Sequence, residues 1–189
     1  MDFYNVIDQR RSAKKFNSIK VDCNSLDRMI DAALMSPSWK NKSSYKMIIV
    51  EDNEKRNQIS FAIENRTDEA ANALREAPMV VVMVGEPSVS GNLDGKEMYL
   101  VDGAIAMEHF ILAATEEGYG TCWVASFDEK KVKDILSIPE GFKIIGMTPL
   151  GKAAELKEHY EKKDRKEYVY YDKWDISHSN KKSKENKVH

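Results

Sequence analysis

Between Arg10 and Phe16 the chain reads Arg-Arg-Ser-Ala-Lys-Lys-Phe, which places four cations and a hydroxyl within six positions of a 189-residue protein whose formal net charge is -2. Such a cluster suits an oxyanion, because guanidinium forks and ammonium groups satisfy several phosphate oxygens at once. The Ser12 hydroxyl can bind where a second long side chain would not fit. The same residues have a structural explanation as well. If Asp2 to Gln9 is a short helix, the cations decorate its negative C-terminal pole, which favours Lys and Arg.

Other chemistry-bearing types are sparse. Cys23 and Cys122 show no C-x-x-C spacing, and His109, His159, His178 and His189 are scattered, so neither a zinc site nor a disulfide framework is indicated. Cys122, flanked by apolar residues, reads as an inert thiol. No nucleophile-base pair or paired carboxylates can be picked out, so an enzyme with this sequence would leave bond-making to a bound cofactor. Two further stretches can contribute to a site. The loop Ser36-Pro37-Ser38-Trp39-Lys40-Asn41 ends in an amide that can donate to one carbonyl and accept from one ring N–H, which suits a heterocycle. Extended backbone at Val124 to Ser126 can offer an N–H to a ring nitrogen.

The elements that must position these residues follow from periodicity. Ser25 to Met35 carries apolar residues at i, i+3, i+4, i+7 and i+8, an amphipathic helix capped by Asn24 or Ser25 and stopped at Pro37. Met47 to Val50 reads as a short strand. Asn53 to Ala77 is helix-forming with a break near Asn65 to Glu69. Met79 to Val84, apolar on both faces, predicts a central strand covered on both sides. Gly85 to Gly95 reads as a loop, and Met98 to Glu116 as a helix apolar nearly all round, which a chain this small buries most readily in a dimer. Thr121 to Phe127 predicts an extended strand, Glu129 to Ser137 a helix capped by Asp128, Phe142 to Leu150 the third core strand, and Tyr168 to Tyr171 an edge strand.

With 42% hydrophobic and 32% charged residues, the length fits one globular domain. The longest purely apolar run, Met79 to Val84, is far short of the ~20 residues of a membrane span. No secretory signal is visible, so a cytoplasmic location is expected. The balanced charge argues against a nucleic-acid surface. Residues 1–175 are read as that domain, and 176–189, with four lysines and one glutamate, as a disordered polar tail.

Five motifs, in order, carry a resemblance. Arg10-Arg11-Ser12-x-Lys14-x-Phe16, Ser36-Pro37-Ser38-x-x-Asn41, Ala77-Pro78 before a valine-rich strand, Gly118-Tyr-Gly-Thr-Cys-Trp-Val-Ala-Ser-Phe-Asp128, and Thr148-Pro-Leu-Gly151 together resemble the FMN-dependent nitroreductase family. The late Tyr171-Asp-Lys-Trp174 is similar too. Two departures stand out: Ser43-Ser44-Tyr45 where many relatives have Gln-Pro-Trp, and Leu150-Gly-Lys-Ala153 where they often carry Leu-Gly-Tyr-Pro.

The resemblance implies an α+β fold, a central sheet flanked by helices in a three-layer α/β/α sandwich, and an intertwined homodimer with FMN at its interface. It implies that Arg10, Arg11, Ser12 and Lys14 meet the FMN phosphate, ribityl chain and pyrimidine edge, with Lys14 at the ring end. Pro37, Ser38, Trp39 and Asn41 would come from the partner chain. The backbone of Trp123, Val124, Ala125 and Ser126 would face N5 and O4, and Lys162, Lys163 or Arg165 would complete the phosphate site. The implied reaction is ping-pong transfer of electrons from NAD(P)H through FMN N5 to a small-molecule acceptor such as a nitroaromatic or quinone. The alternatives are an FMN-binding storage or sensing module without turnover, and a dehalogenase-like or flavin-consuming member of the same scaffold.

Overall fold

The computed structural model describes residues 2–155 and 163–174. These fall in two compact units, residues 1–157 and 158–189. The first contains, in order, α1 (Phe3–Gln9), α2 (Cys23–Leu34), β1 (Tyr45–Val50), α3 (Asn53–Ser60), α4 (Glu69–Glu76), β2 (Met79–Gly85), the two-residue strands β3 (Asn92–Leu93) and β4 (Lys96–Glu97), α5 (Met98–Glu116), β5 (Gly120–Thr121), α6 (Glu129–Leu136) and β6 (Lys143–Gly151). A single 3-10 turn, Trp39–Asn41, precedes β1.

The main sheet has the order β1-β2-β6-β5 and is antiparallel throughout. All seven residues of β2 are buried, as a strand with neighbours on both edges and helices on both faces requires. Alternation along it separates the two helical layers. Val80, Val82 and Val84 point into a core with Ile59, Leu74 and Val132, from the α3, α4 and α6 side. Met79 and Val81 point to Met29 of α2 and Phe110 of α5, and Met83 to Ala106 and Met107 of α5. Each buried Val or Met contributes about 2 kcal/mol of apolar transfer, so this one strand anchors both layers.

Helix ends follow side-chain capping. Asp22 begins α2 and its carboxylate accepts from the Ser25 amide, so the cap lies two residues before the expected Asn24. Asp128 accepts from the Lys131 amide and starts α6 where the sequence places it. The Asn53 to Ala77 segment breaks as expected, into α3 and α4. At the end of α5, Gly118 takes φ +72° and its amide returns to the Thr115 carbonyl, closing the helix.

By length and composition α5 could cross a membrane, yet seven of its residues, Asp102 among them, are buried within this chain. Its remaining apolar surface is open: Leu100 and Val101 are exposed, as are Phe3, Tyr4 and Ile7 on α1.

Two strand expectations are corrected. Thr121 to Phe127 is not one strand; pairing holds at Gly120–Gly151 and Thr121–Leu150, lapses, and returns only as an isolated bridge from Val124 to Met147. The register is the same on both sides of the gap, so Cys122 lies opposite Pro149, which has no amide to donate. The Thr148 hydroxyl fills the space, accepting from the Cys122 amide at 2.9 Å and donating to the Pro149 carbonyl at 2.9 Å. In the second unit, Tyr168 to Tyr171 is not a strand. Asp164 caps a one-turn helix, α7 (Arg165–Tyr168), and Tyr170 stacks on Trp174 at 4.4 Å.

Candidate functional site

The helix-end reading of the cation cluster is right about the helix and insufficient for the charges. Arg11 donates to the carbonyls of Asp8 and Arg10 at the end of α1. Beyond it the chain leaves the helix and is laid against the rim of the sheet. Ser12 bridges to Thr121, Ala13 donates to the Thr121 carbonyl at 2.8 Å, and Asn17 donates to the Lys152 carbonyl at 2.9 Å. This holds Ser12 and Lys14 beside the Thr121 to Trp123 run, two stretches a hundred residues apart in sequence.

The charges here are sorted by their partners. Lys15 turns outward to Glu155 at 2.6 Å, and that hydrogen bond raises its pKa. Lys14 goes the other way: its ammonium lies 3.2 Å from the Cys122 sulfur, a thiol that is 3% exposed. Among the described residues no carboxylate pairs with Arg10, Arg11 or Lys14, and all three are half-buried. Half-buried cations without an internal counter-ion make a seat for an external anion. The donor set fits a phosphorylated ligand whose ring carries hydrogen-bond acceptors, such as FMN.

Trp123, 39% exposed, borders this seat with its indole lying over Gly146. Val124 is buried and its amide is spent on the Met147 carbonyl at 2.8 Å, so it has no N–H for a ligand. Ala125 and Ser126 are exposed, and among the described residues no hydrogen bond takes their amides; the Ser126 carbonyl accepts from Glu64 at 3.0 Å. Of the expected run, Val124 is thereby removed as a donor, and among the described residues the Trp123, Ala125 and Ser126 amides donate no hydrogen bond.

The second expected group sits elsewhere. Pro37, Ser38, Trp39 and Asn41 form a loop leading into Tyr45, which pairs with Gly85 at one corner of the sheet. Thr121, which anchors the cation cluster, pairs with Leu150 at the diagonally opposite corner. Six residue steps along β2 and three strand spacings across separate them by roughly 25 Å. Within one chain the loop and the cluster therefore do not meet.

That loop is unusual in itself. Lys40, Asn41 and Ser43 all have positive φ, at 51°, 55° and 47°. The residue that grips it is not among the sequence candidates: Asp102 of α5, 1% exposed, accepts from the Trp39 amide at 2.7 Å and from the Ser44 hydroxyl at 2.6 Å. The available signal is a carboxylate set within the apolar and small-residue stretch Leu100 to Met107, since a buried charge demands partners.

The remaining candidates are in the second unit or outside the described residues. Lys163 lies over the Tyr168 ring at 4.9 Å and Arg165 opens α7, both exposed; Lys162 is outside the described residues.

Comparison with known proteins bears on the first unit as a whole. The Nitroreductase family model matches residues 7–152. A crystal structure of a nitroreductase family protein from Clostridium novyi NT is 48% identical, covering 92% of this chain and 95% of that one with a TM-score of 0.80. An FMN-dependent nitroreductase from Clostridium difficile shares the fold, with a TM-score of 0.79 at 24% identity over 90% of this chain and 99% of its own. An Archaeoglobus fulgidus protein, carried under the provisional name NADH dehydrogenase/NAD(P)H nitroreductase, is 25% identical over 171 residues, 87% of this chain and 94% of that one. The matched span runs from the end of α1 through Lys152 and takes in the cation cluster, the strained loop and the Thr121 to Ser126 run, and the chain belongs to the nitroreductase family.

Proposed function

We propose that the protein is an FMN-dependent oxidoreductase that works as a homodimer, drawing electrons from NAD(P)H and passing them to a small oxidised acceptor such as a nitroaromatic or quinone. The observation that carries this reading is the cation seat of Arg10, Arg11 and Lys14, which no carboxylate among the described residues neutralises and which the Ser12 bridge fixes against the Thr121 to Trp123 run. When bound there, FMN supplies the two-electron chemistry for which this chain has no group of its own.

The chain's part is binding and electrostatics. Arg10, Arg11 and Ser12 hold the phosphate and ribityl end. Lys14 places positive charge at the ring, and the Ala125 and Ser126 amides offer neutral donors beside it. Preorganised donors of this kind stabilise negative charge in a site from which water is excluded.

Pro37, Ser38, Trp39 and Asn41 border the ring of the opposite copy. The diagonal placement of loop and cluster supports this, since one flat ring cannot span the two corners. So does the open apolar surface of α1 and α5, with Phe3 63% and Tyr4 80% exposed, which a second copy would cover.

The test is an anaerobic titration of the purified protein after incubation with FMN. Flavin absorbance should be retained on desalting, bleach with NADH or NADPH, and return on addition of a quinone or nitroaromatic. Protein that keeps no flavin refutes the reading. Protein that is yellow yet does not bleach with either nucleotide is a flavin store or sensor instead.

A further inference from the structure

We propose that Asp102 is a positioning residue for the flavin site: its buried carboxylate holds the Ser38 to Ser44 loop in the left-handed geometry that presents Trp39 and Asn41. The inference rests on the proposed FMN site and adds a residue that touches neither cofactor nor substrate.

Three non-glycine residues with positive φ within four positions are costly, and such backbone persists only where its surroundings over-determine it. Part of the restraint is internal. Asn41 donates to the Ser38 carbonyl at 3.1 Å, Lys42 to the Trp39 carbonyl at 3.2 Å, and Ser43 to the Ser38 hydroxyl at 2.9 Å. These bonds set the curl of the loop without fixing where it points. Its orientation comes from outside. Asp102 takes one donor from each end of the curl, Trp39 N–H and Ser44 O–H, so the loop is pinned at both feet to α5. Gly91 completes the clamp, because a Cβ there would lie 2.3 Å from the Trp39 ring.

The chemistry of the clamp is specific. A carboxylate 1% exposed, with no cation paired to it among the described residues, costs desolvation that an amide or an apolar side chain would avoid. What it provides in return is two strong acceptors in one rigid plane. Core packing alone needs neither. A loop that must hold an indole and an amide to the tolerance of a ring-binding site needs both.

The test uses the full-length protein and three variants, Asp102→Ala, Asp102→Asn and Ser44→Ala, with three readouts: FMN dissociation constant, hydrogen exchange at the Trp39 amide, and the urea midpoint. Asp102→Ala is expected to weaken FMN by about tenfold or more and to speed Trp39 exchange. Asp102→Asn keeps an acceptor for Trp39 and can donate to Ser44, so it should weaken FMN by only about threefold. If Asp102→Ala does not fold, Ser44→Ala and Asp102→Asn carry the test. The inference is overturned if Trp39 exchange speeds while FMN affinity stays at the wild-type value, or if affinity falls only as far as the urea midpoint does. Wild-type protein that takes up no FMN refutes the parent reading instead.

Discussion

Two variants that each fail to hold flavin should rebuild a working site when combined, because the cation cluster and the strained loop sit at opposite corners of one sheet. Take Arg11→Glu with Lys14→Glu as the cluster-dead chain, and Trp39→Ala with Asn41→Ala as the loop-dead chain. Charge reversal replaces two half-buried cations that have no counter-ion among the described residues with carboxylates facing a phosphorylated ligand, and repulsion at that range costs several kcal/mol at an effective dielectric of about 20. Thr121 and Tyr45 mark the corners, roughly 25 Å apart by strand rise and spacing, so a single ring cannot touch Lys14 and Asn41 of the same chain. If each site draws its cluster from one copy and its loop from the other, a mixed dimer has one site with every defect and one with none. Random reassociation of equal amounts makes about half the dimers mixed and restores about a quarter of all sites. The assay is flavin absorbance per chain after joint refolding and desalting, compared with each parent treated alone. A mixture that holds no more flavin than its parents refutes the shared site.

Other perturbations test the parts. Thr148→Val leaves the Cys122 amide and the Pro149 carbonyl without partners in a wholly buried place; the loss should be about 1–3 kcal/mol, or a fall of roughly 2–10 °C in Tm, and an unchanged melting curve would show that the bridge is dispensable. Lys14→Met should lower the midpoint potential of bound FMN by removing the charge that favours electron uptake, and spectroelectrochemistry showing the wild-type potential would count against Lys14 as the ring cation. Arg28 and Ser25 hydrogen-bond Glu117 and hold its pKa at about 2, below the ordinary 4.5. Because the folded pKa is the lower one, the stabilisation is complete above pH 4.5 and is lost as pH falls toward 2. Glu117→Gln should therefore melt earlier than wild type at neutral pH, by no more than about 1 kcal/mol for so accessible a pair, with the difference closing across that window; a gap that persists in acid would mean the effect is not ionic.

The fold was legible wherever a segment's own pattern settles its environment. β2 is apolar on both faces and could only be central, while α6 is bounded by Asp128 before it and an amphipathic run within it. The misreadings share a different cause, which is that the deciding partner is remote or several local signals compete. Asp22, Asn24 and Ser25 are all capping types within four positions, and the sequence does not say which carboxylate or hydroxyl reaches an amide. The Thr121 to Phe127 run has β-favouring residues throughout, yet its pairing is cut by the missing amide of Pro149, a property of the strand beside it. Tyr168 to Tyr171 has strand-like composition, and the Asp164 cap outweighs it.

At the candidate site, the residues proposed to seat an anion stand out in the sequence by charge, whereas those that hold the loop do not. Only Asn41, of the three loop residues with positive φ, is a type that favours that region, and Lys40 and Ser43 take it under the loop's own hydrogen bonds and its attachment to Asp102. Ser43-Ser44-Tyr45 departs from the Gln-Pro-Trp of many relatives by three side chains or backbone groups that can hydrogen-bond. In the structure these polar groups turn toward their own chain: the Ser43 amide donates to the Ser38 hydroxyl, Ser44 donates to Asp102, and the Tyr45 hydroxyl donates to the Ala33 carbonyl at 2.9 Å. A proline at 44 could offer Asp102 no hydroxyl, so the serine and the buried carboxylate form one device. On the proposed flavin site, substituting Ser44 would therefore act on the ring through Asp102 and the backbone of Trp39, because the Ser44 hydroxyl is already spent on that carboxylate.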